Sequence, residues 1–93
     1  MATGTATLDF GAFPGKSDTS VAVTGQTTIA AGSLVEAWIR PVATADHSAD
    51  EHLVEPPRLV AGNIVAATGF TIYGICPNRD RLYGLWTVNW AWV

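Results

Sequence analysis

The residues with the most chemical capacity in this chain fall in one short stretch, Asp46-His47-Ser48-Ala49-Asp50-Glu51-His52, with Glu55 close behind. Neutral imidazoles and carboxylates are ligands for first-row divalent metals, and carboxylate-rich loops take calcium. Asp46, His47, Asp50 and His52 are therefore the candidate metal ligands. Their spacing matches no established signature, because His47-x-x-x-x-His52 lacks the i,i+4 face of the His-Glu-x-x-His helix. The same residues also suit a solvated loop whose acids cap a turn. A third arrangement is symmetric: copies of the chain meeting around a rotation axis would each supply one histidine to a shared site.

A second constellation is aromatic. Trp86, Trp90 and Trp92 alternate along the last stretch of the chain, with Tyr73, Arg79, Arg81 and Tyr83 just before them. Sugars are bound by aromatic faces that match their apolar C–H patches, helped by hydrogen-bonding Arg, Asn and Asp. Trp86 and Trp90 flank Val88 on one strand face and read as core. Trp92 is assigned to a subunit interface, where tryptophan is enriched. Tyr73, Arg79, Arg81 and Tyr83 lie at or beside a turn and are the candidate ligand-binding residues.

Catalysis has little to build on. Ser17, Ser20, Ser33 and Ser48 occur without a Gly-x-Ser-x-Gly turn, and the glycines form no phosphate loop ahead of a helix. Cys76 precedes Pro77 on a strand and reads as a small buried hydrophobe. The expectation is a non-enzymatic protein without a cofactor.

These groups must be positioned by strands. Leu82 to Val93 puts Leu82, Gly84, Trp86, Val88, Trp90 and Trp92 on one face, the alternation of a long half-buried strand. Thr3–Phe10, Ser20–Thr24, Leu34–Arg40, Arg58–Ala66 and Gly69–Cys76 are the other strands, and Gly62-Asn63 marks a bulge or a kink. Pro41 stops the third strand or forces it to an edge. A helix of one or two turns fits Ser48–Leu53 with Asp46 or Ser48 as N-cap, ended by Pro56-Pro57. The polar run Pro77–Arg81 is short enough to join the last two strands as an antiparallel hairpin. Turn signals between about six strands predict an all-β fold, an antiparallel β-sandwich or small barrel with the sandwich preferred, in a single domain over residues 1–93. Trp38, Phe70 and Trp86–Trp90 are expected in its core.

Composition bounds the partners. The 93 residues are 48% hydrophobic and only 14% charged, too apolar for a disordered segment and sparsely charged for a monomer surface. A homo-oligomer is the expected state. A net charge of −3, with basic residues spread along the chain, argues against nucleic acid, whose phosphates need clustered Lys and Arg. One cysteine excludes an intrachain disulfide. Met1-Ala-Thr-Gly-Thr-Ala-Thr lacks the basic start and apolar core of a signal peptide, and no apolar run approaches a membrane span. Synthesis in the cytoplasm without membrane insertion is expected.

The whole chain resembles a family of small virion-associated proteins of tailed bacteriophages and prophages. The matching residues are Thr5-Ala-Thr-Leu-Asp-Phe-Gly-Ala-Phe-Pro-Gly15, Val21-Ala-Val-Thr-Gly25, Glu36-Ala-Trp-Ile39, Asp46–His52, Gly69-Phe-Thr-Ile-Tyr73 and the closing Trp-x-x-x-Trp-x-Trp. The resemblance implies a virion structural protein, synthesised and assembled in the bacterial host cytoplasm, with other capsid or tail proteins as partners. More loosely, the order Phe10, Val21-x-Val23, Gly69-Phe70-Thr-Ile72, Val88-x-Trp90 is similar to the H-type lectin domain. That likeness implies a six-stranded sandwich assembling as a trimer, with host-surface glycan as a possible ligand. Capsid decoration is the first expectation, and a tail, baseplate or fibre module with lectin-like binding the alternative.

Overall fold

The computed structural model describes residues 1–77 and 80–93. The elements follow in the order β1 (Ala2–Asp9), β2 (Asp18–Val23), β3 (Val35–Ile39), α1 (Ala49–Val54), β4 (Arg58–Val65), β5 (Gly69–Ile75) and β6 (Leu85–Trp92). They build two three-stranded antiparallel sheets, β1–β6–β3 and β2–β5–β4. The chain is mostly β, as its two-residue periodicity predicts.

Each central strand is the most apolar of its sheet. In β6, Trp86, Val88 and Trp90 are buried while Leu85, Thr87, Asn89 and Ala91 are half-exposed. β5 buries Phe70 and Ile72 and leaves Tyr73 outside. Leu8, Phe10, Val23 and Ile29 join these side chains in a single buried cluster fed by both sheets. Trp86, Phe10, Leu8, Ile72 and Val88 are fully buried, and each contributes about 1.5–3 kcal/mol over an exposed position. Two glycines let large side chains reach the opposing backbone: a Cβ at Gly4 would overlap the Trp90 indole, and one at Gly74 would sit 2.7 Å from Leu8 Cδ1.

Three local expectations hold and two fail. The short helix forms with Ser48 as N-cap and a complete capping box to Glu51. The register of β4 slips between Gly62 and Val65, where Asn63 has φ 52°, so the bulge is present. β3 ends at Ile39, ahead of Pro41. The hairpin between the last two strands does not form, because β5 and β6 belong to different sheets. Both edges of β6 are taken, by β1 and β3, and the chain reaches it through a bridge between Leu82 and Lys16. Turn residues bar a helix, but they do not choose between returning along the same sheet and crossing to the other. Trp38 is the other correction. Val35, Ala37 and Ile39 face inward on β3, so the intervening Trp38 points outward and is 45% exposed.

The molecule measures 37 × 22 × 19 Å and has two unlike ends. One gathers α1, the 10–17 loop and the approach to β6; the other gathers the turns at 24–34 and 65–69, tied by the Gln26 N–H to Thr68 O and the Ala67 N–H to Ile29 O.

Candidate functional site

The acid–histidine stretch packs against the start of β6, and its first task is to complete a sheet. In an antiparallel pair, Arg40 would both donate to and accept from Thr87. Arg40 N–H does donate to Thr87 O at 3.0 Å, but the Arg40 carbonyl has turned away and accepts from Val42 N–H at 2.7 Å. The vacated acceptor position is filled by His52, whose Nε2 accepts from Thr87 N–H at 3.0 Å. His52 Nδ1 then donates to Ser48 O at 2.8 Å, which defines a neutral ring protonated on Nδ1. Two residues on, Asp46 Oδ2 accepts from Leu85 N–H at 2.9 Å and the Thr44 hydroxyl donates to Leu85 O at 2.8 Å. Side chains from 44–52 thus continue the ladder that β3 abandons at Pro41.

His47 is held differently. Its Nδ1 lies 2.9 Å from Glu51 Oε2, and its Nε2 meets the Tyr83 carbonyl. The ring is thus held between the Glu51 carboxylate and a backbone carbonyl. The ring stacks on Trp86 with centroids 4.0 Å apart, while His52 leans on the same indole at 4.9 Å. Trp86 Nε1–H donates to the same Tyr83 carbonyl at 3.2 Å. The hydrogen bond from His47, and then the Ser48 N–H, hold the Glu51 carboxyl below its ordinary range. Gly84 lies beside this cluster at φ +75°, and Asp46 occupies the space a Cβ there would need.

Three of the four proposed metal ligands therefore have protein partners. His47 and His52 are buried and committed at both ring nitrogens, Asp46 is committed to Leu85, and Asp50 stands exposed in the first turn of α1. Among the described residues, no three His, Cys, Asp or Glu side chains are grouped to hold a metal ion.

The ligand-binding candidates separate. Tyr73 faces outward from the centre of β2–β5–β4, flanked in register by Ser20 and Val60, with the Asp18, Ile75 and Arg58 row beside it. An open depression there is bordered by Lys16, Asp18, Ser20, Val60 and Tyr73. Tyr83 lies elsewhere, edge-on to Phe13 at 5.5 Å and against His47 at 4.8 Å. The Arg81 guanidinium donates to Gly15 O at 3.3 Å. Arg79 lies outside the described residues. Trp92 is half-buried against the core and its Nε1–H donates to Gln26 Oε1 at 2.9 Å.

Sequence reasoning missed Thr44 and Thr87, the polar partners of this ladder, and Lys16, Asp18, Ser20 and Val60 around Tyr73. The Ser48-x-x-Glu51 spacing was a readable sign that Glu51 caps a helix. Nothing local marks Thr44 or Ser20, because their partners come from distant strands. Comparison of the chain with protein-family models, curated proteins and solved structures returned no match.

Proposed function

We propose that this chain is a non-enzymatic structural component of a bacteriophage particle, a six-stranded β-sandwich that assembles as a homotrimer and decorates or cements the capsid. The observation that carries the reading is the combination of committed polar groups and free apolar ones. The histidines and Asp46 serve the chain's own backbone. Meanwhile Phe13, Leu34, Leu53 and Val54 stand between 66% and 78% exposed on a surface with few charges. Exposed apolar side chains at several places on a sparsely charged surface suit contact with other protein chains. The shared apolar cluster between the two sheets supports the sandwich description, and no helix among the described residues is long and apolar enough to cross a membrane.

Electron microscopy of the intact virion tests this directly. Density for this 9.8 kDa domain over the capsid lattice, in many copies, is the expected result. Its absence from the particle defeats the proposal.

The second reading is a tail, baseplate or fibre module that binds host glycan. The exposed Tyr73, with Ser20 alongside and Lys16 and Asp18 bordering the same depression, favours it, since sugars take an aromatic face plus hydrogen-bonding groups. Low copy number on the tail, with glycan binding lost in Tyr73→Ala, would support this reading over decoration.

A further inference from the structure

The two sheets end in four strand edges, those of β1 and β3 and those of β2 and β4. The hydrogen bonds define which backbone groups the β1 edge leaves free. Phe10 N–H donates to Gly84 O, so in the β1–β6 register Leu8, Ala6, Gly4 and Ala2 also bond β6. The alternate residues Thr3, Thr5 and Thr7 turn their N–H and C=O groups the other way. β6 agrees, because Thr87, opposite Thr7, gives its N–H to His52 and its carbonyl to Arg40. Among the described residues, no group bonds the backbone of Thr3, Thr5 or Thr7 at this edge, and all three residues are exposed. The other edges carry features that discourage pairing. β3 has five residues, includes Glu36 and is followed by Pro41. β4 starts at Arg58 and bulges between Gly62 and Val65. β2 is shorter than β1 and opens with Asp18, just after Lys16. β1 runs from Ala2 to Leu8 in unbroken register, without proline or a charged side chain. The Met1 ammonium and the Asp9 carboxylate flank that run without entering it.

We propose that the free edge of β1 takes an extended segment of a different protein of the particle, added as a fourth strand to β1–β6–β3. The inference rests on the virion-component reading above and adds the surface through which the chain attaches. Thr3, Thr5 and Thr7 offer a donor and an acceptor each, over about 13 Å at about 3.3 Å per residue. An extended backbone repeats donors and acceptors at that pitch, which is how a peptide adds to a sheet edge. The side chains beside the edge set the composition of the segment. Ala2 and Ala6 face inward and stay half-buried against the core, so apolar residues of an added strand complete their burial. Thr3, Thr5 and Thr7 form the outward row, where β-branched or hydroxyl neighbours pair well. No side chain of the run pairs a charge, so the segment is an uncharged one that alternates apolar with Thr-like residues. A second copy fits less well, because β1 against β1 closes a two-fold pair while the assembly proposed above is a trimer.

The test compares particles assembled with the wild-type chain and with Thr5→Pro. The Thr5 N–H points away from β6, so proline there removes an edge donor and lays its ring across the edge without breaking the β1–β6 ladder. Ala22→Pro is the control. Cys76 N–H donates to Ser17 O, which in the β2–β5 register turns Val21 and Val23 toward β5 and the Ala22 N–H toward the free edge of β2. Circular dichroism and thermal melting check the fold of both variants. Thr5→Pro is expected to lower the copies per particle at least tenfold, counted by quantitative mass spectrometry, while Ala22→Pro leaves them unchanged. Hydrogen exchange of the wild type keeps the test valid if Thr5→Pro disturbs folding. The amides of Thr3, Thr5 and Thr7 are expected to exchange at least tenfold more slowly in the particle than in the isolated protein. A folded Thr5→Pro chain at normal copy number, or unchanged exchange, overturns the inference and leaves the virion reading standing. Equal losses in Thr5→Pro and Ala22→Pro overturn the assignment to β1. Protection of these amides in the isolated protein, with a dimer mass that Thr5→Pro abolishes, makes the occupant a second copy and overturns it too. A wild type absent from the particle defeats the virion reading itself, and the inference with it.

Discussion

Replacing His52 separates the two bonds of its ring. Asn places an amide nitrogen close to the position of Nδ1, whereas Gln carries its amide oxygen out to that of Nε2. His52→Asn therefore keeps a donor for Ser48 O and loses the acceptor for Thr87 N–H; His52→Gln does the reverse. The two losses are unequal. Ser48 O also accepts from the His52 backbone N–H at 3.4 Å, so it keeps a partner. Thr87 N–H is bonded to Nε2, and Arg40 O, the alternative acceptor, is already engaged by Val42. Leaving a buried N–H without a partner costs about 1–3 kcal/mol. His52→Gln should cost about 1 kcal/mol and His52→Asn about 2–3 kcal/mol by the same reasoning. His52→Ala adds a cavity beneath the fully buried ring and should cost about 3–4 kcal/mol. Against a total stability of about 5–15 kcal/mol these differences are large. Urea denaturation with unchanged m-values measures them. Amide exchange at Thr87 gives a local readout, accelerated in His52→Asn and protected in His52→Gln. Equal stability of the Asn and Gln variants, within about 0.5 kcal/mol, would refute the idea that His52 replaces a strand carbonyl.

Other consequences follow from the same geometry. Trp90→Ala should cost about 3–5 kcal/mol and Trp38→Ala only about 1 kcal/mol, because Trp90 is buried in the core and Trp38 stands on the outer face; a reversed order of melting temperatures would contradict this. The Glu51 carboxyl is held below its ordinary value of 4.5, first by the His47 bond. Its contribution to stability is therefore present above pH 4.5 and lost as pH falls through the folded value, so the difference between wild type and Glu51→Gln should shrink on acidification. A constant difference down to strongly acid pH would count against the pairing. Burial, then the nearby Asp80 charge, raises the Cys76 thiol, so a thiol reagent at neutral pH should label the folded protein slowly and the urea-unfolded chain at the free-thiol rate. Equal rates would show that Cys76 is accessible.

Strand alternation determined much of this protein from local sequence. The two-residue period of Trp86, Val88 and Trp90 chose their inward face, and the same period along Phe70 and Ile72 chose theirs. Ser48 and Glu51 set the start of α1 through contacts three residues apart, and Pro41 set the end of β3. All of these are short-range effects, settled by backbone sterics and hydrogen bonds within a few residues. Tertiary structure alone decided which strands share a sheet. The Pro77–Arg81 run would suit a hairpin as well as a crossing, and the crossing follows from β6 having both edges occupied by β1 and β3. It also decided the role of the polar cluster. His52 and Asp46 carry ligand chemistry in any sequence reading, yet each here meets a β6 backbone N–H left unpaired where β3 peels away. An unpaired N–H is a property of two chain segments distant in sequence, and a linear pattern holds no record of where they meet.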